Sequence, residues 1–233
     1  MSGIDQDLFS HLAGFDTPTI CNALEEARGF RSTEGFTLKP LVCAFTDLKP
    51  IVGFARTATI RATRPSDRKG DEARQHRLAY YSYVCSEPHP TIAVIEDLDE
   101  HKGTGAFWGE VNTAIHKGLG VLGCVTDGSI RDLDMIAPGF QLLAGSVGPS
   151  HAFVHCVDFG LDVTVAGMKV RHGDIIHADR HGATVIPLDL LPKLPAAIDV
   201  CIRQERPILE AARSADFDIE MLKRAMAEAD EIH

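Results

Sequence analysis

Arg131 and Asp132 stand side by side in "CVTDGSIRDLD", and Glu110 precedes Arg131 with 20 residues between them. An adjacent carboxylate and guanidinium can hold a hard divalent cation and an anionic oxygen next to one another. Mg²⁺ keeps much of its water and needs only one or two protein carboxylates, so Glu110 and Asp132 suffice where a substrate adds its own oxygens. Glu110 also opens "EVNTAIHKG", a run with Val111, Ala114, Ile115 and Gly118 on one helical face. The unpaired amides of Gly109, Glu110, Val111 and Asn112 at such a helix start favour an anion. Asp127, in the turn pair Asp127-Gly128, reads as a turn residue with Arg131 as its partner.

A competing signal overlaps these residues. In "GLGVLG", Gly118, Gly120 and Gly123 have the G-x-G-x-x-G spacing of a dinucleotide loop. That loop requires a strand, then glycines, then a helix whose N-terminus meets the pyrophosphate. Here a helix precedes Gly118 and a strand follows Gly120, so helix carbonyls of partial negative charge would face any phosphate. The glycines read as turn chemistry, and no nucleotide cofactor is expected. The pairs His151/His155 and His177/His181 are both H-x-x-x-H. They fall in strand and turn segments, where residues four apart sit roughly 13 Å from each other, so a shared zinc is geometrically awkward. Some of these histidines are expected to line a substrate cleft.

The elements that must position these groups are legible in outline. "FDTPTICNALEEARG" predicts a helix with Thr17 as N-cap, Pro18 at the first helical position and Gly29 past the end. "KPIVGFARTATIRAT" predicts a strand, Asp71 to about Val84 a helix, and "TIAVIEDL" a short buried strand. "VLGCVTDG" predicts another buried strand, and "SIRDLDMIAPGF" a short helix stopped by Pro138 and Gly139. Residues 151–187 read as strands and hairpins. From Asp189 the chain reads as helical, broken at Pro207 and restarting near Asp218. The expectation is an α/β protein of one domain, 1–233, with a C-terminal helical extension from about 189 to 233.

Composition narrows the class. Hydrophobic residues are 45% of the 233 and charged ones 24%, the profile of a soluble globular protein. A net charge of −10 speaks against a nucleic-acid partner, because phosphate contacts need a basic face. The basic stretch "RATRPSDRKGDEARQHR" reads as a solvated loop and helix face. No run is long and apolar enough for a membrane span, and the first residues lack the basic start of a signal peptide, so a cytoplasmic location is expected. The six cysteines form no C-x-x-C pair and read as reduced, mostly buried thiols.

The chain resembles the RraA-like family, which includes the metal-dependent 4-hydroxy-4-methyl-2-oxoglutarate/4-carboxy-4-hydroxy-2-oxoadipate aldolases. The resemblance runs through "TPTICNAL", "VGFARTATI", "WGEVNTAIHKGLGVLGCVTDGSIRD" and "VRHGDIIHADRHGATVIP". Its most specific element is an acidic residue, 20 intervening residues and Arg-Asp, met by Glu110, Arg131 and Asp132. The resemblance implies a mixed sheet of β/β/α swivelling-type architecture with C-terminal helices. It also implies Mg²⁺ or Mn²⁺ held directly by Asp132 and through water by Glu110. Arg131 would contact the pyruvyl moiety, and the amides of residues 109–112 the substrate carboxylate. A trimer or hexamer would supply a further acid from the neighbouring subunit, for which Glu205 is the candidate. Two positions depart from the aldolases: Ala106 stands where glycine is usual, and Glu110 replaces a more common aspartate.

The function implied is a metal-dependent lyase that releases pyruvate from a 4-hydroxy-2-oxo acid, with oxaloacetate decarboxylation as a side activity. The alternative is a non-catalytic member that regulates a ribonuclease by protein contact. A methyltransferase fits less well, because no glycine-rich strand-loop-helix is present for S-adenosylmethionine.

Overall fold

The computed structural model describes residues 6–232. In chain order the elements are α1 (Gln6–Leu12), α2 (Thr17–Arg28), β1 (Val42–Cys43), β2 (Ile51–Arg61), α3 (Gly70–Val84), β3 (Thr91–Asp97), β4 (Ala106–Trp108) and α4 (Glu110–Gly118). There follow β5 (Val121–Thr126), β6 (Ser129–Ile130), β7 (Gln141–Ala144), β8 (Ser146–Val147), β9 (His155–Phe159), β10 (Val163–Val165), β11 (Met168–Val170), β12 (Ile175–Asp179), β13 (Gly182–Ile186), α5 (Leu194–Ala212) and α6 (Ile219–Asp230). The chain divides into two compact units, Met1–Thr17 with Thr33–Pro187 and Pro18–Ser32 with Leu188–His233.

The first unit is mixed α/β. Its main sheet has eight strands in the order β1-β7-β5-β3-β2-β12-β13, with β9 also pairing with β2. Strands β2, β3, β5 and β7 are mutually parallel, and β1, β9 and β12 join them antiparallel. The parallel strands are buried along almost their whole length because both faces are covered. Alternate residues of β3 feed two cores: Ile92 and Val94 join the β10–β11 hairpin residues Val163, Val165 and Met168. Ala93 and Ile95 join Trp108, Phe140 and Tyr80 on the other face. As expected, residues 151–187 form hairpins, β10 with β11 and β12 with β13.

The glycines behave as turn and packing residues. Gly118 ends α4, Gly120 takes a left-handed φ of 86°, and β5 starts at the next residue. Gly123 lies within β5, where a Cβ would collide with the Gln141 carbonyl of β7 and sit 2.7 Å from Ile51 Cδ1. Gly123→Ala is expected to destabilise the fold by about 1–3 kcal/mol, as overpacking does, read as a lower urea midpoint.

The second unit is helical among its described residues. α5 packs on α6, and Gln204 Nε2 donates to the Ile232 carbonyl at 2.9 Å. Pro207 does not break the helix as expected: α5 continues through it, with Pro207 buried. A proline removes one hydrogen bond at a cost of about 3 kcal/mol, which a packed helix can absorb. The break falls after Ala212, and α6 starts where Asp218 caps it, its carboxylate accepting the Met221 amide at 2.7 Å.

Three other expectations are corrected. Thr17 is the first residue of α2 and not its cap, since its hydroxyl is bonded to His177 Nδ1 at 3.0 Å. "SIRDLDMIAPGF" is not a helix: Ser129–Ile130 is the strand β6, and only Leu133–Met135 forms a 3₁₀ turn. Parallel pairing of β6 with β4 and β8 takes the backbone bonds that a helix would need. No disulfide joins the cysteines among the described residues, but only Cys124 is buried and the other five are half-buried. No helix among the described residues is long and apolar enough to cross a membrane.

Candidate functional site

The 20-residue spacing has a structural cause. β4 and β6 are parallel neighbours with Trp108 level with Ile130, and Arg131 N–H donates to the Trp108 carbonyl at 2.9 Å. Two residues beyond each strand lie Glu110 and Asp132, so the pairing register brings them together. The Glu110 amide donates to Asp132 Oδ2 at 3.3 Å, and Arg131 Nε lies 3.5 Å from the same oxygen. Asp132 takes a left-handed conformation, φ 55° and ψ 41°, which aspartate tolerates better than most residues. Its carbonyl accepts the Met135 amide at 2.8 Å, closing the turn.

Gly109 makes this approach possible. A Cβ there would stand 2.5 Å from Asp132 Oδ2 and 3.2 Å from Arg131 Cγ. The Asp132 carboxylate thus occupies the mouth of α4, where the helix dipole favours negative charge. It takes one amide, that of Glu110, while the amides of Val111 and Asn112 find no acceptor among the described residues. Glu110, Val111 and Asp132 are exposed and Arg131 half-buried.

The side chains of Asn112, expected to take part only through its amide, and of Thr113, which sequence reasoning missed, hold the first turn of α4. Asn112 Nδ2 donates to the Phe107 carbonyl at 2.5 Å, and Asn112 Oδ1 accepts the Tyr81 hydroxyl at 2.9 Å. Buried Thr113 bonds back to the Gly109 and Glu110 carbonyls, and its oxygen accepts the Ala137 amide at 3.2 Å. That last bond ties α4 to the turn carrying Asp132. A polar residue one turn into an otherwise amphipathic helix was the only available signal.

His116, on the same helix, is fully buried. Its Nδ1–H donates to the Asn112 carbonyl at 2.6 Å, and Nε2 accepts the Tyr80 hydroxyl at 2.9 Å. Burial drives its pKa down to about 4, so the ring is neutral in the folded protein. The unfolded chain takes up this proton near pH 6.5, so stability present above that pH is lost as pH falls toward 4, by at most about 3 kcal/mol. His177, also held neutral by burial, acts in the same direction. His116→Gln is expected to lose less stability between pH 7 and pH 4.5 in urea titrations. Equal losses would contradict this role for the ring.

Other expected residues lie elsewhere. Asp127 pairs with Lys102 at 2.7 Å rather than with Arg131, and its other oxygen accepts the Asp97 amide at 2.8 Å. His177 is enclosed by Thr17 and the Leu12 and Phe15 carbonyls, and His181 bonds Asp179, so neither lines the site. Ala106 is buried in β4 opposite Ser129. Glu205 is exposed on α5, in the second unit.

No three His, Cys, Asp or Glu side chains converge as metal ligands among the described residues. Asp132 offers one exposed carboxylate, with the Glu110 backbone amide against it, and a site with so few protein carboxylates suits an ion that keeps its waters, such as Mg²⁺ or Mn²⁺. The residues present fit such an ion.

Comparison with known proteins bears on this arrangement. A sequence profile described as RraA-like, Aldolase/RraA, matches residues 17–185. A Halalkalibacterium halodurans protein named "Putative 4-hydroxy-4-methyl-2-oxoglutarate aldolase" is 26% identical over 232 residues, 98% of this chain and 92% of that one. Two crystal structures share the fold. An uncharacterized protein from Pseudomonas syringae pv. tomato gives a TM-score of 0.70 at 20% identity, covering 97% of this chain and 99% of that one. Streptomyces coelicolor RraAS2, titled an unusual member of the RNase ES inhibitor RraA family, gives 0.66 at 22% identity, covering 92% and 100%.

Proposed function

The chain belongs to the RraA-like family, and on that premise we propose that it is a divalent-metal-dependent lyase. Its reaction would be retro-aldol cleavage of a 4-hydroxy-2-oxo acid with release of pyruvate. The observation that carries this reading is the meeting of Glu110, Arg131 and Asp132 at the mouth of α4, around the bare Gly109. Likeness to the Halalkalibacterium protein along nearly the whole chain supports it.

Asp132 would hold the ion directly and Glu110 through water, with Glu205 of a neighbouring copy in a trimer or hexamer completing the set. When bound, Mg²⁺ or Mn²⁺ supplies Lewis-acid polarisation of the 2-oxo group. The chain's own groups do the rest. The amides of Val111 and Asn112 receive the substrate's C1 carboxylate at the positive end of the helix dipole. Arg131 opposes the charge that gathers on the C2 oxygen as the C3–C4 bond breaks and its electron pair moves to C3. The 4-hydroxyl loses its proton to become the carbonyl of the departing fragment, and a proton returned to C3 gives pyruvate. Oxaloacetate would lose CO₂ through the same enolate, so decarboxylation is expected as a side activity.

The test is pyruvate release across a panel of 4-hydroxy-2-oxo acids and oxaloacetate, with Mg²⁺ or Mn²⁺ and after thorough EDTA treatment. Metal-dependent release from at least one acid is expected. No release from any of them, with retention of a ribonuclease in a pull-down, would replace this reading with a protein-binding one. That role is the one given to the Streptomyces relative's own family.

A further inference from the structure

A second concavity lies at the far end of α4. The helix begins at Glu110 beside Asp132 and ends at Gly118, where a groove of about 870 Å³ opens. Its floor is the start of the parallel strands: Pro50 and Ile51 at the head of β2, Pro90 before β3, Leu122 in β5 and Gly139 before β7. Phe9 and Ala13, on and just after α1, form a wall. The volume is that of a site for a small organic molecule, and the lining is mostly apolar, as such sites are.

Two observations give the ligand a character. The rim at the end of α4 is bare: a Cβ at Gly118 would meet nothing within 4 Å, and one at Gly120 nothing nearer than His89 at 3.8 Å. The charge is also one-sided. The whole chain carries −10, yet no lining residue is acidic, while Lys49 is in the lining. A second lysine stands at the edge, Lys117 Nζ lying 3.4 Å from where a Gly139 Cβ would be. His89 Nε2 is engaged by the Cys85 carbonyl at 3.1 Å, with Glu87 4.0 Å away outside the lining, and its Nδ1 faces Gly120. Gln141 is not available to a ligand, since its amide bonds the Phe45 carbonyl and the Leu142 amide.

We propose that this groove binds a small organic monoanion with an apolar body, such as an aromatic carboxylate. The carboxylate faces Lys49 and Lys117, and the apolar body lies over Gly118, Leu119 and Gly120 against Phe9. This site is separate from the lyase reading and does not depend on it.

The experiment is a fluorescence titration with 1-anilinonaphthalene-8-sulfonate, an apolar monoanion, followed by competition with phenylacetate and its neutral amide. One saturable site is expected, displaced by phenylacetate and not by phenylacetamide. Gly118 has an ordinary helical φ, so Gly118→Phe fills the groove without backbone strain and should weaken the probe about tenfold or more. Lys49→Glu, at an exposed position, should weaken it about fivefold and keeps the test open if the phenylalanine variant fails to fold. Probe binding that neither variant weakens would overturn the proposal, as would equal displacement by the amide. A change in mass by light scattering in Gly118→Phe would also overturn it, by showing that a second copy fills the groove.

Discussion

Arg131→Ala and Asp132→Ala are each expected to abolish metal-dependent pyruvate release, from oxaloacetate as from the preferred hydroxy-oxo acid. For Arg131 the expected loss in kcat is about 100- to 1000-fold, the effect of removing one group that meets charge developing in the transition state. The two variants should differ in how they fail. Without Arg131 the ion still binds, so Mn²⁺ titration followed by electron paramagnetic resonance should match the native protein while turnover is lost. Without Asp132 the Mn²⁺ affinity itself should fall. Neither change should unfold the protein, because Arg131 is half-buried and the exposed Asp132 carboxylate holds only the 3.3 Å bond to Glu110 N and a 3.5 Å contact with Arg131, so the main cost of Asp132→Ala is about 1 kcal/mol for alanine in the left-handed backbone. Thermal melts and oligomeric mass should therefore stay near native. Full activity in either variant, or in protein stripped with EDTA, would end the metal-lyase reading.

Gly109→Ala should be nearly as damaging to activity, for a steric reason alone. The backbone at Gly109 is extended, φ −163° and ψ −165°, which any residue adopts without strain. The added methyl carbon would nonetheless stand 2.5 Å from Asp132 Oδ2 and 3.3 Å from its Cγ. The carboxylate must move, and with it the contacts to Glu110 and Arg131. A displacement of about 1 Å in a catalytic group can cost about 100-fold, and that is the fall in kcat/KM expected here. The melting temperature should change little. Native kcat/KM in Gly109→Ala would mean that the Asp132 position seen here is not the one used.

Much of the frame was legible in the residues because the relevant signals are local. β3 and β5 announce themselves as short apolar runs between polar turns, and the order helix, glycines, strand at Gly118–Val121 follows from periodicity and from glycine's access to positive φ. That order argued against a nucleotide loop. The errors share a cause as well: in each, long-range pairing overrode a local preference. "SIRDLDMIAPGF" has helical character, yet β4 and β8 draw Ser129–Ile130 into a parallel sheet. Pro207 is a breaker by its own chemistry, yet it sits buried within α5. Thr17 has the chemistry of a cap, yet His177, 160 residues away, takes its hydroxyl.

The candidate site divides along the same line. Sequence alone determined which groups could meet an ion and an oxo acid, since the identities of Glu110, Arg131 and Asp132 and the 20-residue interval are chemistry and counting. Only the tertiary structure decided why that interval brings the residues together: Trp108 pairs level with Ile130, so residues two places further on are neighbours. It also decided that Asp132 enters the mouth of α4 across a glycine, that Thr113 ties the two segments together, and that Asp127 belongs to Lys102. A residue's type is carried by the chain one position at a time. Its neighbours across a sheet are set by hydrogen-bond register between strands far apart in sequence, and no local pattern encodes that register.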